Sequence, residues 1–287
     1  MKPMTLREKL ENNVLVVAPG VYDMFSARIA DRMPFEALYM TGYGISGSYL
    51  GLADAGLATY TDMATRARTI VEGTSKPLMA DADTGYGGLL NVHHTVQGYE
   101  RAGVQAIQIE DQENPKKCGH TPNRRVVSRR DALRRIEVAA RAKTRPETLI
   151  IARTDSRASL GLDEAIARAR DFLSAGADIA FVESPESKDE FARVGQEVDG
   201  WLFANMVPSG RSPEIPAREL QQMGFDVVIH PSAGMAYACG VVQKAYEHLL
   251  EHGTSGDAPL PKYSMADLHT LMGFEKVWAF EREWAED

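Results

Sequence analysis

Cysteine is scarce in this sequence: Cys118 and Cys239 are the whole supply in 287 residues. Two thiols cannot build a disulfide framework, which points to a reducing compartment and a cytoplasmic protein. Long hydrophobic runs are missing too. No stretch reaches the roughly 18 apolar residues of a membrane span. The opening residues, Met1 to Glu8, lack the apolar core of a secretory signal. Basic side chains are outnumbered, 32 against 40 acidic, for a net charge of −8. That balance argues against a nucleic-acid partner. There is no Pro/Ser-rich linker to divide the chain, and no glycine-rich phosphate loop ending in Lys-Ser or Lys-Thr.

What is present is alternation. Short apolar, β-prone runs recur at 15–18, 37–41, 77–80, 106–109, 149–152, 179–182, 201–204 and 227–229. Runs of this length suit strands buried on both faces, as in a parallel sheet. Helical patterns follow them at 23–32, 60–72, 91–102, 130–144, 162–175, 187–197, 216–223 and 235–252. Eight such alternations predict an α/β fold, a (β/α)8 TIM barrel, over residues 1–252. Residues 253–287 read as a C-terminal helical tail, with a helix over 265–284 and Trp278, Phe280 and Trp284 to bury. The longest strand-to-helix connections are 42–59 and 110–129. Connections of that length in a compact domain are usually functional.

Barrel active sites gather at the carboxyl ends of the strands. Just past the runs stand Gly42-Tyr43, Asp81-Ala82-Asp83, Glu110-Asp111, Arg153-Thr154-Asp155, Glu183-Ser184, Asn205 and His230-Pro231-Ser232. A purely structural barrel needs no such polar ring. Asp81 and Asp83 lie two apart, so both can approach one ion from the same face. The alternative is a loop cap beside a surface acid. With Glu110 at the next strand end, an all-oxygen donor set favours Mg²⁺ or Mn²⁺ over zinc.

Cys118 sits in Lys116-Lys117-Cys118-Gly119-His120, where nearby cations favour the thiolate and predict a lowered pKa. Zinc ligation by Cys118 and His120 lacks a partner Cys-x-x-Cys. Cys239 lies in the apolar stretch 236–242, where core packing is expected. Arg153 and Arg211 are candidates to fork onto substrate carboxylates. Pairing with Asp155 or Glu183 is the alternative for Arg153, and a solvated loop charge is that for Arg211.

The runs Ala80 to Gly87, Ile109-Glu110-Asp111-Gln112, Lys116 to His120 and Ile151 to Asp155 resemble the isocitrate lyase and phosphoenolpyruvate mutase superfamily. Order and spacing agree over about residues 10 to 250. The Lys-Lys-Cys-Gly-His loop is similar to that of the branch that cleaves carbon–carbon bonds. The resemblance implies a Mg²⁺-dependent barrel whose eighth helix is exchanged between subunits of a homotetramer, a dimer of dimers. It implies that Asp81 binds Mg²⁺ directly, with Asp54, Asp83 and Glu110 assisting, partly through water. It implies that Thr41, Gly42 and Tyr43 hold a 2-oxo acid, that Arg153 binds its oxygens with Tyr39 nearby, and that Glu183, Asn205 and Ser232 line the pocket. Cys118 would be the general acid on a flexible gating loop, with Lys117 and His120 balancing charge.

Tyr43 stands where methylisocitrate and isocitrate lyases carry a small residue, and is more similar to the 2,3-dimethylmalate lyase and petal death protein branch. The loop 208–213 departs from that branch and makes Ser209 and Arg211 candidates for setting substrate choice. The expected activity is a lyase that splits a 2-hydroxy di- or tricarboxylate, of 2-alkylmalate or 2-methylisocitrate type, into a 2-oxo acid and a carboxylic acid. An oxaloacetate hydrolase or decarboxylase on the same scaffold is the alternative in chemistry. A non-catalytic carboxylate-binding sensor is the alternative in class.

Overall fold

The computed structural model describes residues 4–285. Residues 1–3 and 286–287, the outer ends of the two expected regions, lie outside that span. Among the described residues, eight parallel strands close in sequence order into one barrel. They are β1 Val16–Val21, β2 Leu38–Met40, β3 Leu78–Asp81, β4 Ala106–Glu110, β5 Leu149–Thr154, β6 Ile179–Val182, β7 Trp201–Asn205 and β8 Val227–His230. The β-branched and apolar runs become strands because each is buried on both faces, by side chains filling the barrel and by helices outside. Val16, Ala18, Tyr39, Met79, Ile151, Phe181, Phe203 and Val227 pack the interior. The rings of Phe181 and Phe203 lie 4.7 Å apart.

The strand bounds extend past the apolar runs into the polar residues that follow. Asp81, Glu110, Arg153 and Asn205 therefore sit on strands rather than beyond them. Backbone pairing fixes their heights: Asp81 pairs with Gln108, and Glu110 with Arg153.

A short helix that the apolar pattern does not announce, α1 Leu6–Glu11, closes the amino-terminal mouth. Thr5 and Glu8 form a reciprocal capping box at its start. Leu6 and Leu10 join the interior cluster. Leu6 N–H donates to Gln105 Oε1 at 2.8 Å, and Arg7 pairs with Asp178 at 2.6 Å. Gln105 and Asp178 each stand just ahead of a strand, which places α1 opposite the polar ring.

The helices between strands fall close to their expected bounds: α2 Met24–Asp31, α4 Tyr60–Gly73, α5 Leu89–Arg101, α6 Arg129–Ala142, α8 Leu162–Ser174, α9 Lys188–Glu197 and α10 Ala217–Gln222. Two short helices, α3 Gly42–Ile45 and α7 Arg157–Leu160, were not expected. Thr41 caps α3, which runs on into a π-helical turn, Ser46–Leu50.

The eighth helix, α11 Ala233–His252, departs from the pattern, because within this chain it buries none of its described residues. Tyr237, Tyr246 and Leu250 are 78%, 68% and 90% exposed. Cys239 is exposed with them, which corrects the expectation that it packs in the core. The tail also differs from one continuous helix. Gly273, at φ +84°, divides it into α12 Met265–Met272 and α13 Phe274–Trp284. A left-handed residue ends a helix, and glycine adopts it without strain. α12 docks on α2, where Arg28 Nη1 donates to the Leu271 carbonyl at 3.2 Å. Trp278, Phe280 and Trp284 stay exposed, so their burial is not achieved within the chain.

Leu10→Ala should leave a cavity in the barrel plug. We expect a loss of about 2–5 kcal/mol in urea unfolding, with the far-UV circular dichroism of the folded protein unchanged. A loss below about 0.5 kcal/mol would show that α1 does not close the core.

Candidate active site

The carboxyl ends of the strands surround a cavity of about 310 Å³. Its walls include Tyr39, Thr41, Tyr43, Asp54, Asp81, Glu110, Lys117, Cys118, His120, Arg153, Glu183, Asn205 and Ser232. Residues from the carboxyl ends of seven strands, β2 to β8, and from the loops that follow them thus meet in one place. Gly42, Asp83, Ser209 and Arg211 do not line it.

Arg153 occupies the centre of a buried charge network. Its Nε and Nη2 donate to Asp155 Oδ2 and Oδ1 at 2.8 and 2.9 Å, a bidentate fork. Glu110 lies 3.4 Å from Nε, and Glu183 lies 3.3 Å from Nη1. Of the two sequence alternatives for this arginine, the pairing with Asp155 and Glu183 is the one observed, and the side chain also faces the cavity. Burial alone would lower its pKa, but Asp155, Glu110 and Glu183 outweigh burial and hold it well above the ordinary value. Glu110 moves the other way: burial pushes its pKa well up, against the pull of Arg153.

The two aspartates expected to share an ion are split. Asp81 Oδ1 accepts from the Asp83 backbone N–H at 3.0 Å and from Gln108 Nε2 at 3.2 Å. Tyr39 steadies that glutamine, donating to Gln108 Oε1 at 2.9 Å. Asp83 adopts φ +48°, which swings its carboxylate to Lys116 at 2.7 Å, outside the cavity wall. Strand alternation does not survive a left-handed turn, so the shared-face expectation is corrected. Burial pushes Asp83 up to about 7, with Lys116 opposing and Asp81 and Asp54 adding to the rise. Lys116 also pairs with Asp54. The buried lysine of this loop is therefore Lys116, whereas Lys117, singled out from the sequence, is exposed at the cavity edge.

The donors suit a hard cation. Asp81 Oδ2 lies beside Gly42, where an added Cβ would come within 2.5 Å of it. Glu110 Oε1 is buried with no hydrogen-bond partner. A buried carboxylate oxygen left unpaired is costly unless a cation or proton meets it. Among the described residues no three His, Cys, Asp or Glu side chains converge as a closed metal cage. The fit is therefore to an ion that uses one or two carboxylates and completes its shell with water or substrate oxygens.

The loop carrying Cys118 folds over this floor. Cys118 N–H donates to the Asp54 carbonyl at 3.0 Å. Gln112 braces Lys117 through both backbone groups, at 2.8 and 3.0 Å. A Cβ on Gly119 would meet Arg153 Nη2 at 2.4 Å and Glu183 at 2.9 Å, so only glycine lets the loop lie this close. Burial raises the Cys118 thiol, the His120 backbone offsets part of that, and the charge of Asp54 adds to it. The expected lowered pKa is corrected. Lys116 is matched by two carboxylates, and His120 is driven towards its neutral form by burial. The His120 Nδ1 accepts the Arg211 backbone N–H at 3.2 Å, which leaves the ring proton on Nε2. The Arg211 guanidinium turns away to Glu186 at 3.0 Å. Ser209 holds a left-handed turn at φ +60°. Ser209 and Arg211 thus shape the seat of His120 rather than the cavity wall.

Asp155, named from the sequence as a possible partner of Arg153, and Gln112, named within a motif, support the site from behind, together with Gln108 and Arg124, to which sequence reasoning assigned no role. The signal for Asp155 is its place two residues after Arg153.

Residues 6–250 match the family model described as phosphoenolpyruvate phosphomutase. The chain belongs to this family, the phosphoenolpyruvate mutase and isocitrate lyase superfamily. It is 41% identical to 2,3-dimethylmalate lyase of Eubacterium barkeri over 280 residues, covering 98% of this chain and 97% of that one. It is 39% identical to 2-methylisocitrate lyase of Aeropyrum pernix over 271 residues, covering 94% and 87%. A solved oxaloacetate acetylhydrolase, bound to the inhibitor 3,3-difluorooxalacetate, superposes with a TM-score of 0.93 at 36% identity, covering 100% and 98%. By this kinship the family member described here is a carbon–carbon lyase.

Thiolate is the form that alkylates, so a raised Cys118 pKa should delay its reaction with iodoacetamide. The rate profile for the Cys118 peptide, read by mass spectrometry, should have its midpoint above that of free cysteine. A midpoint below free cysteine would restore the thiolate reading.

Proposed function

We propose that the enzyme cleaves a 2-alkylmalate-type substrate, a 2-hydroxy diacid with an apolar substituent, into a 2-oxo acid and a carboxylic acid. One observation carries this choice over a tricarboxylate. In a closed barrel of eight strands, β7 and β8 stand across from β3 and β4. The wall that follows them is mostly apolar: Val207, Pro208, Pro231, Met235 and Ala236, with Asn205 and Ser232 its uncharged polar members. The cationic side chains on the cavity wall are Lys116, Lys117 and Arg153. Lys116 is already matched, Arg211 points elsewhere and Lys117 lies on the loop after β4, so this wall itself presents no cation to a third carboxylate.

Asp81 and Glu110 would hold Mg²⁺ or Mn²⁺, with Asp54 and Asp83 charge-balanced behind them by Lys116. The bound ion would supply a Lewis acid for the oxygens of the 2-hydroxy acid. Arg153, held flat by Asp155, offers donors to the same substrate oxygens. Thr41, Gly42 and Tyr43 border that end. The hydroxyl proton passes to a wall carboxylate, for which Glu183 stands beside Arg153, the carbon–carbon bond breaks, and its electron pair settles beside the second carboxylate. Cys118, whose thiol pKa is raised by desolvation, gives its proton to that carbon. The loop over it excludes water.

Oxaloacetate hydrolysis is the second reading, favoured by the close superposition on oxaloacetate acetylhydrolase. A panel of 2,3-dimethylmalate, 2-methylisocitrate, isocitrate and oxaloacetate, with products identified by mass, separates the two. The diacid with alkyl groups should turn over fastest, and excess chelator should abolish turnover. Cys118→Ser should cost about 10²- to 10⁴-fold in kcat while the fold persists. Preference for oxaloacetate or for a tricarboxylate would reject the substrate proposal. Near-normal turnover by Cys118→Ser would reject the acid.

The reading extends to assembly and place. Exposed apolar residues on α11, on α2 (Phe25 and Ile29) and just past it (Met33) support a homotetramer with exchanged eighth helices, which we place in the cytoplasm. Among the described residues no helix is long and apolar enough to cross a membrane. Light scattering at micromolar concentration should give four times the chain mass, and a monomer would refute the tetramer.

A further inference from the structure

We propose that Arg124 is a positioning residue that latches the Cys118 loop shut and, through Asp155, sets Arg153 for substrate. This rests on the reading that Arg153 meets substrate oxygens. The base of the loop is fixed independently of its tip. Val127 N–H donates to the Asp111 carbonyl at 2.9 Å. Arg168, from α8, ties both ends, reaching Asp111 Oδ2 at 2.9 Å and the Val127 carbonyl at 3.0 Å. Above that base the two arms pair, with Glu113 N–H on the Arg125 carbonyl at 2.9 Å.

Arg124 reaches inward from the returning arm. Its Nη1 donates to Asp155 Oδ1 at 2.6 Å, the same oxygen that accepts Arg153 Nη2 at 2.9 Å. One carboxylate thus lies between two guanidinium groups, one on the loop and one in the cavity. Asp155 itself does not move with the loop, since its backbone N–H is held by Asp111 Oδ1 at 2.9 Å.

A purely structural role accounts poorly for Arg124. It is 4% exposed, and its Nε and Nη2 are buried without hydrogen-bond partners. Burying unpaired guanidinium donors is costly, and the bond to Asp155 is the contact that offsets it. That contact exists only while the loop is closed. Opening takes Arg124 away and leaves Asp155 wholly to Arg153. Closing makes Asp155 divide its charge between two partners, which frees part of the Arg153 charge for an incoming carboxylate. Loop closure and arginine readiness are then one event.

The test compares Arg124→Met, Arg124→Gln and Arg124→Lys with the parent enzyme. Three quantities are read: kcat and KM on 2,3-dimethylmalate, the alkylation rate of Cys118 without substrate, and the thermal midpoint. Arg124→Met should lower kcat about tenfold or more and speed Cys118 alkylation severalfold, as an open loop exposes the thiol. Arg124→Lys should recover most of both, since it keeps the charge on Asp155. Arg124→Gln serves if the methionine variant fails to fold. Alkylation requires no turnover, so the latch is tested even if the substrate proposal fails. Unchanged alkylation and kcat in a folded variant would overturn the latch. So would a loss of kcat with unchanged alkylation and no recovery by lysine.

Discussion

The bidentate bond between Arg153 and Asp155 is the contact on which the site depends. A guanidinium buried among Glu110, Asp155 and Glu183 is stable only because carboxylates surround it. The same carboxylates would repel one another without it. Asp155 would be raised by burial, yet Arg153 and then Arg124 hold it below the ordinary carboxylate value. Lys116 repeats the arrangement at smaller scale, between Asp54 and Asp83. Acids still outnumber bases, and of those on the cavity wall Asp81 forms no ion pair among the described residues while Glu110 keeps one oxygen unpaired. The surplus is what makes a divalent cation welcome there.

Strand register turns this chemistry into geometry. Glu110 and Arg153 are cross-strand neighbours, as are Arg153 and Phe181. Phe181 supports the guanidinium from below, with the charged carbon 5.3 Å from the ring centre. The Gln108 amide joins Tyr39 to Asp81 across three strands. None of these contacts is made by a loop alone, so the floor of the site is as rigid as the barrel. The covering loop supplies the other half.

Much of this was legible in the sequence because parallel strands buried on both faces leave continuous apolar runs. The polar residues that end them mark one rim of the barrel. What was not legible has physical causes. The helix α1 is too short to show a period, yet it closes the core. The Cys118 pKa was misread because sequence adjacency to Lys116 and Lys117 says nothing about burial. One lysine is neutralised by two acids, the other faces solvent, and desolvation decides the sign. Asp81 and Asp83 parted because a positive φ cannot be seen in an Asp-x-Asp spacing. Arg211 was an oddity of sequence whose side chain turned out to face Glu186. Arg124 carried no signal, since nothing in a run of loop arginines says which one is interior.

The root of α11 has a consequence of its own. Met235 and Ala236, on its first turns, form part of the apolar wall, while the rest of the helix finds no burial within its own chain. On the proposed helix exchange, the selectivity wall hangs on a lever whose far arm is anchored outside the subunit. Drift in the surfaces that hold that arm would tilt the wall without altering a single lining residue. Relatives with the same cavity sequence can then differ in substrate range, and the record of that divergence would lie far from the catalytic floor.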